Sequence, residues 1–224
     1  MFFISIDGAC RRNGQPDCIS AGGVFIQEVK DNEIVAFSNL SDYETQSTSQ
    51  RGELTALATA LTYVLEHRQE SLIVMDSEYM YNTMTKEWYV GWQRNGWLTA
   101  QGTAVKNKDL WLKISSLYNK CDESGIPVTF FHIKGHCIPF GKVTAKKLLA
   151  EDPTSETLYK AVLEKYNQLL HTEKTSSILK DANELSKKNN GFSLSDNTLE
   201  RFVVSNVVVD AIANRCVEAA NSLL

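Results

Sequence analysis

The chain has 224 residues, 43% apolar and 22% charged, the make-up of a soluble globular protein with room for one sizeable domain. It holds no run of about 18 apolar residues, which argues against a transmembrane helix. The net charge of −4 leaves no global field to attract nucleic acid, so such a partner would need a local basic patch or metal ions.

Met1 leads straight into an apolar run, so no secretory signal is expected. The five cysteines are scattered and form no C-x-x-C pair, which fits reduced thiols in an intracellular, cytoplasmic protein better than a disulfide frame or zinc site.

The first predicted element is Phe2-Phe3-Ile4-Ser5-Ile6-Asp7, a buried strand that ends on an acid and meets Gly8, Ala9 and Cys10. Open α/β sheets place ligands and catalytic groups at such strand ends. Arg11-Arg12-Asn13-Gly14 follows as a turn-rich loop. Residues 21–26 and 33–40 read as two more strands, separated by Lys30-Asp31-Asn32 at hairpin spacing. Three sequential antiparallel strands result.

The period then changes. Ser47-Thr48-Ser49-Gln50 supplies N-cap candidates, and Leu54, Leu57, Ala58, Leu61, Val64 and Leu65 recur at helical spacing, predicting a helix over about 48–67. Glu53 precedes Leu57 by one turn and points toward the sheet. Ser71-Leu72-Ile73-Val74-Met75-Asp76 is a second apolar run ending on an acid. A strand–helix–strand unit makes parallel neighbours, so Asp7 and Asp76 should meet at one sheet edge with Glu53 above them. Such like-charged carboxylates call for a cation, and an all-oxygen donor set favours Mg²⁺ or Mn²⁺.

A short helix is expected over 78–84. Trp88, Trp92 and Trp97 then cluster with basic and amide residues that include Lys106, Asn107 and Lys108, a pattern able to grip a nucleic-acid backbone or simply to pack a helix. Another helix covers 109–118. A fifth strand, 128–133, runs into Lys134-Gly135-His136, where His136 is an acid/base candidate beside the acids.

Six segments in this order resemble type 1 ribonuclease H: Ile6–Gly14, Thr48–Leu54, Met75–Tyr79, Asn95–Trp97, Val105–Trp111 and Ile133–His136. The resemblance implies the ribonuclease H-like α/β fold, a five-stranded mixed sheet flanked by helices. It also implies a fourth metal-site acid early in a C-terminal helix, which Asp210 matches, one turn after Asn206. Val203, Val204 and Val207–Val209 suit a strand locally, but the alanine-rich continuation favours a helix from about 206. The implied activity is endonucleolytic hydrolysis of the RNA strand of RNA–DNA hybrids, leaving 5′-phosphate and 3′-hydroxyl ends. Asp7, Glu53, Asp76 and Asp210 would hold two Mg²⁺ ions, with Mn²⁺ acceptable in the same role. His136 would shuttle protons or assist product release. The same resemblance assigns Cys10, Asn13, Ser49, Gln50 and Glu78 to the minor groove, where the 2′-hydroxyl marks RNA. It assigns Thr48 and Asn107 to a DNA-strand phosphate, and Trp88, Trp92, Lys106 and Lys108 to a basic protrusion.

The chain departs from the family where a long segment separates His136 from Asp210. It exceeds ordinary loop length, and its apolar residues recur at helical spacing. We read residues 138–205 as a helical insertion beside a catalytic unit of 1–137 and 206–224. The insertion could cap the site, extend the substrate groove or bind a protein partner. Acids also outnumber basic residues over the first 136 positions, which predicts salt-sensitive hybrid binding. Two other readings use the same fold: a non-catalytic hybrid-binding module and a DNA-directed nuclease.

Overall fold

A computed structural model describes residues 1–135, 154–169, 172–191 and 195–223. Five strands form one sheet: β1 (Phe2–Arg11), β2 (Ile19–Lys30), β3 (Glu33–Thr45), β4 (Ser71–Met75) and β5 (Val128–His132), in the order β3-β2-β1-β4-β5. β1, β2 and β3 are antiparallel, and β4 and β5 continue parallel to β1. This is the mixed sheet expected from the sequence, with β1 at its centre.

Local chemistry explains the hairpin between β2 and β3. Lys30 pairs with Glu33, leaving a two-residue loop in which Asp31 and Asn32 have φ of 52° and 66°. Both central residues are left-handed, as a type I′ turn requires, and Asp and Asn tolerate that conformation better than branched residues do.

One face of the sheet is covered by α1 (Ser49–His67), α2 (Glu78–Thr85), α3 (Trp88–Arg94) and α4 (Lys108–Glu123). The Thr48 side chain accepts from the Arg51 N–H and starts α1 at the expected place. Leu54, Leu57, Leu61 and Val64 then lie on its buried stripe, packed with Ile4, Ile6, Ile73, Met75 and the fully buried Trp111.

The other face is covered by α5 (Ser155–Leu169) and α7 (Asp196–Leu223), while α6 (Glu173–Asn190) meets the sheet near the end of β5. Phe25, Val74 and Phe131 of the sheet pack with Leu158, Tyr159 and Val162 of α5 and with Phe202, Val203, Val208 and Val209 of α7. Farther along α7, the small residues Ala213, Val217 and Ala220 settle on Ala9, Ile19 and Ala21.

Two sequence expectations shift here. The C-terminal helix begins at Asp196, not near residue 206, and runs for 28 residues. Its valines are helical because their burial against the sheet outweighs a modest β-branched penalty. The boundary expected between 205 and 206 therefore falls inside α7, and the core of the second face draws on residues from both sides of it.

Candidate active site

The last β1–β4 pair is Ser5 with Val74, and Asp7 and Asp76 each lie two residues beyond it. Equal offsets on adjacent parallel strands bring the two acids to one edge. β1 itself continues past that edge along β2, with Asp7 opposite Gly23, so Asp7 is a mid-strand residue at the point where β4 stops. It is buried, and its Oδ1 accepts the Gly8 N–H at 2.7 Å.

Glycines bring the helices to these acids. A Cβ on Gly8 would overlap the backbone of Glu53, so its absence lets the first turns of α1 lie directly on β1. A Cβ on Gly23 would stand 2.9 Å from the Val209 carbonyl oxygen, one residue before Asp210. Glu53 accepts a hydrogen bond from the Ser77 side chain, just beyond Asp76. Asn206, one turn before Asp210, donates from Nδ2 to Asp76 Oδ2 at 3.4 Å. Asn214, one turn after it, donates to the Asp210 carbonyl and to its Oδ1, each at 2.8 Å.

The electrostatics follow from this crowding. Burial, and then the charges of Asp76, Asp210 and Glu53, push the Asp7 carboxyl well above the usual range, against the opposing Gly8 hydrogen bond. Glu53 is raised by burial and by Asp76, against the bond from Ser77. The other three acids named from the sequence therefore all act on Asp7, and Asp76 also acts on Glu53. Among the described residues, no group of three His, Cys, Asp or Glu side chains converges at metal-ligand spacing. An all-carboxylate donor set suits a hard divalent cation. His136 lies outside the described residues.

The expected substrate-facing residues form a chain along the neighbouring edge. Asn13 Oδ1 accepts the Ser49 N–H at 3.4 Å, and Asn107 Nδ2 donates to Gln50 Oε1 at 2.9 Å. Thr48 is occupied as the helix cap. Glu78, Lys106 and Lys108 are exposed. Cys10 Sγ stands 2.7 Å from Cys18 Sγ, and burial together with that neighbour pushes its thiol up to about 12. Of the tryptophans, Trp88 is exposed beneath the Lys86 ammonium, 5.8 Å from the ring centre. Trp92 instead packs against Trp97 and Trp111, with ring centroids 6.5 and 5.7 Å away, so much of its surface serves the core.

Sequence reasoning gave no role to Arg51 or His132. Arg51 forks between Glu44 (2.7 and 3.2 Å) and Asp109 (2.9 and 2.7 Å), tying α1 to β3 and α4 and holding Asp109 below the usual carboxylate range. Glu44 lies seven residues away on another element and Asp109 lies 58 away, so no helical or strand spacing announces them. His132 is a buried strand residue whose polar ring implied a partner without naming one.

The geometry defines a class first: an α/β protein with mutually repelling carboxylates gathered at the central edge of a mixed sheet. The RNase H family profile matches residues 2–147, well over half the chain, and the chain belongs to that family. It is 36% identical over 135 residues to a ribonuclease H of Clostridium botulinum, covering 59% of this chain and 82% of the relative. It is 35% identical over 142 residues to a ribonuclease H of Francisella tularensis subsp. novicida, covering 63% and 84%. Among solved structures, the PFV RNase H domain matches 70% of this chain and 93% of its own, with a TM-score of 0.50 and 19% identity, a likeness of fold.

Proposed function

We propose that this enzyme hydrolyses the RNA strand of RNA–DNA hybrids and leaves 5′-phosphate and 3′-hydroxyl ends. Asp7, Glu53, Asp76 and Asp210 would hold two Mg²⁺ ions. Bound Mg²⁺ supplies activation of water and neutralisation of charge at the phosphate. The observation that carries this reading is the buried Asp7 carboxyl on the central strand, raised first by burial and then by Asp76 just past β4, Asp210 on α7 and Glu53 on α1. Such a cluster is costly in a metal-free fold and fits a site built for cations.

The chain's own residues have separable tasks. Asn206 orients the Asp76 carboxylate, Ser77 steadies Glu53, and Asn214 fixes Asp210 on α7. Asn13, Ser49, Gln50 and Asn107 offer amide and hydroxyl groups suited to a minor groove that displays 2′-hydroxyls. Cys10 and Glu78 flank them, Thr48 and Asn107 face a DNA-strand phosphate, and Trp88, Lys106 and Lys108 offer an aromatic and basic grip on the backbone. His136 serves in proton transfer or product release. Residues 138–205 work with the 1–137 and 206–224 unit, not apart from it. The four described cysteines are thiols, which suits a reducing, cytoplasmic compartment. Among the described residues no helix is long and apolar enough to cross a membrane.

The test is cleavage of labelled RNA–DNA hybrid, duplex RNA, duplex DNA and single-stranded RNA with Mg²⁺, Mn²⁺ or EDTA. Only the hybrid's RNA strand should be cut, and only with metal. Asp7→Asn should lower the rate by at least about a hundredfold to a thousandfold while hybrid binding survives, the scale for losing one group that stabilises transition-state charge. Full activity in that variant would sink the two-metal reading. A wild-type chain that binds hybrid without cutting would instead mark a binding module, and cutting of duplex DNA a DNA-directed nuclease.

A further inference from the structure

The end of α6 reaches back to the site through a buried histidine. His132 closes β5 and is 4% exposed. Its Nε2 lies 3.1 Å from the backbone carbonyl oxygen of Asp76. That oxygen can only accept, so Nε2 carries a ring proton, and in the neutral imidazole Nδ1 is then an acceptor. The Asn189 amide fills this role, with Nδ2 2.6 Å from Nδ1.

Asn189 is itself held in place. It sits in the last turn of α6, where backbone carbonyls have no partner within the helix. The Tyr81 hydroxyl donates to its carbonyl at 2.9 Å, and the Tyr81 ring stacks on His132 with centroids 5.5 Å apart. Gly191, with φ of +82°, donates its N–H to the Lys187 carbonyl at 3.1 Å and closes the helix just beyond. Lys134 and Asp181 add an exposed ion pair at 3.5 Å, which contributes little to stability.

We propose that Asn189 and His132 are positioning residues that set the backbone of Asp76 for metal binding, so that the end of α6 belongs to the machinery of the site. Asp76 is then gripped twice: Asn206 on α7 takes its carboxylate, and His132, oriented by α6, takes its carbonyl. Removing the Asn189 amide frees the imidazole to turn or to exchange its ring proton between nitrogens, and the Asp76 peptide loses its fixed donor. Partners of this kind orient metal ligands without touching the metal. The inference rests on the metal-site reading given above.

The test uses the full chain and Mg²⁺ alone, titrated by calorimetry without substrate, beside cleavage assays and thermal melts. Asn189→Leu keeps the backbone bond from Tyr81 and removes only the amide. It should weaken Mg²⁺ binding about tenfold, and raise the Mg²⁺ needed for half-maximal cleavage by the same factor, with KM for hybrid unchanged. His132→Phe should match it, and the double variant should be no worse than His132→Phe alone. His132→Gln restores an N–H donor and should recover most of the affinity. A lowered Tm with unaltered Mg²⁺ affinity in Asn189→Leu would overturn the proposal and leave these residues a packing role. Asp76→Asn separates the two levels. If it binds Mg²⁺ as the wild type does, the metal-site reading itself fails. If it loses Mg²⁺ while Asn189→Leu does not, only the positioning role falls.

Discussion

The two faces of the sheet are built in different ways. The first is covered by helices that follow their strands closely in the chain, and its core of Leu54, Leu57, Leu61 and Trp111 follows local periodicity. The second is closed by α5 and α7, whose Tyr159, Val162, Phe202 and Val209 come from the far end of the chain to meet Phe25 and Phe131. Asp7, Glu53 and Asp76 belong to elements of the first construction and Asp210 to the second. The acid cluster therefore exists only once both faces are assembled. This is the physical reason an active site can be interrupted in sequence by a long segment and still close in space.

The comparison breaks most sharply at Phe202. If the second face is a true core, Phe202→Ala should cost about 3–5 kcal/mol in denaturant unfolding, as much as Leu57→Ala on the first face. A cost under about 1 kcal/mol at Phe202 would show that α7 only leans on a fold completed without it.

A smaller effect concerns the acids that join the faces. Asp7 and Glu53 are raised above their unfolded values of 3.8 and 4.5. In metal-free protein the folded state thus holds their protons more tightly than the unfolded chain does. Stability should be greatest below about pH 4 as far as these two groups contribute, and should fall as pH rises through their raised values. Asp7→Asn should flatten that decline and raise Tm at neutral pH in EDTA. An unchanged pH profile of Tm would mean that the cluster carries no stored repulsion.

The smallest effect is at Arg51, which ties α1 to β3 and α4. Arg51→Met should cost about 1 kcal/mol or less at neutral pH, discounted because Asp109 is largely exposed. Asp109 is lowered by this pairing, so its share is present above the unfolded value near 3.8 and is lost as pH falls through the lowered one. Comparing melts of the two proteins at pH 7 and pH 3 checks both the size and the sign.

The sequence by itself determined the order of the five strands and of the helices α1, α2 and α4 through residue 135, though not α3, because periodicity, caps and turn residues are local properties. The Thr48 cap, the Asp31-Asn32 turn and the stripe from Leu54 to Val64 all appear in the structure as the residues require. It also singled out the acids: Asp7 and Asp76 as the ends of matching apolar runs, Glu53 by its place one turn before Leu57, and Asp210 only through the resemblance. Tertiary structure alone decided where α7 begins, because Val203 and Val204 become helical through burial against Phe25 and Phe131, a contact that no window of neighbouring residues contains. It alone decided that Trp92 packs inward and that Arg51 bridges three elements. It alone brought Asn189 to His132, 57 residues away in the chain. Such pairings depend on which surfaces the folded sheet brings together, and sequence spacing carries no record of them.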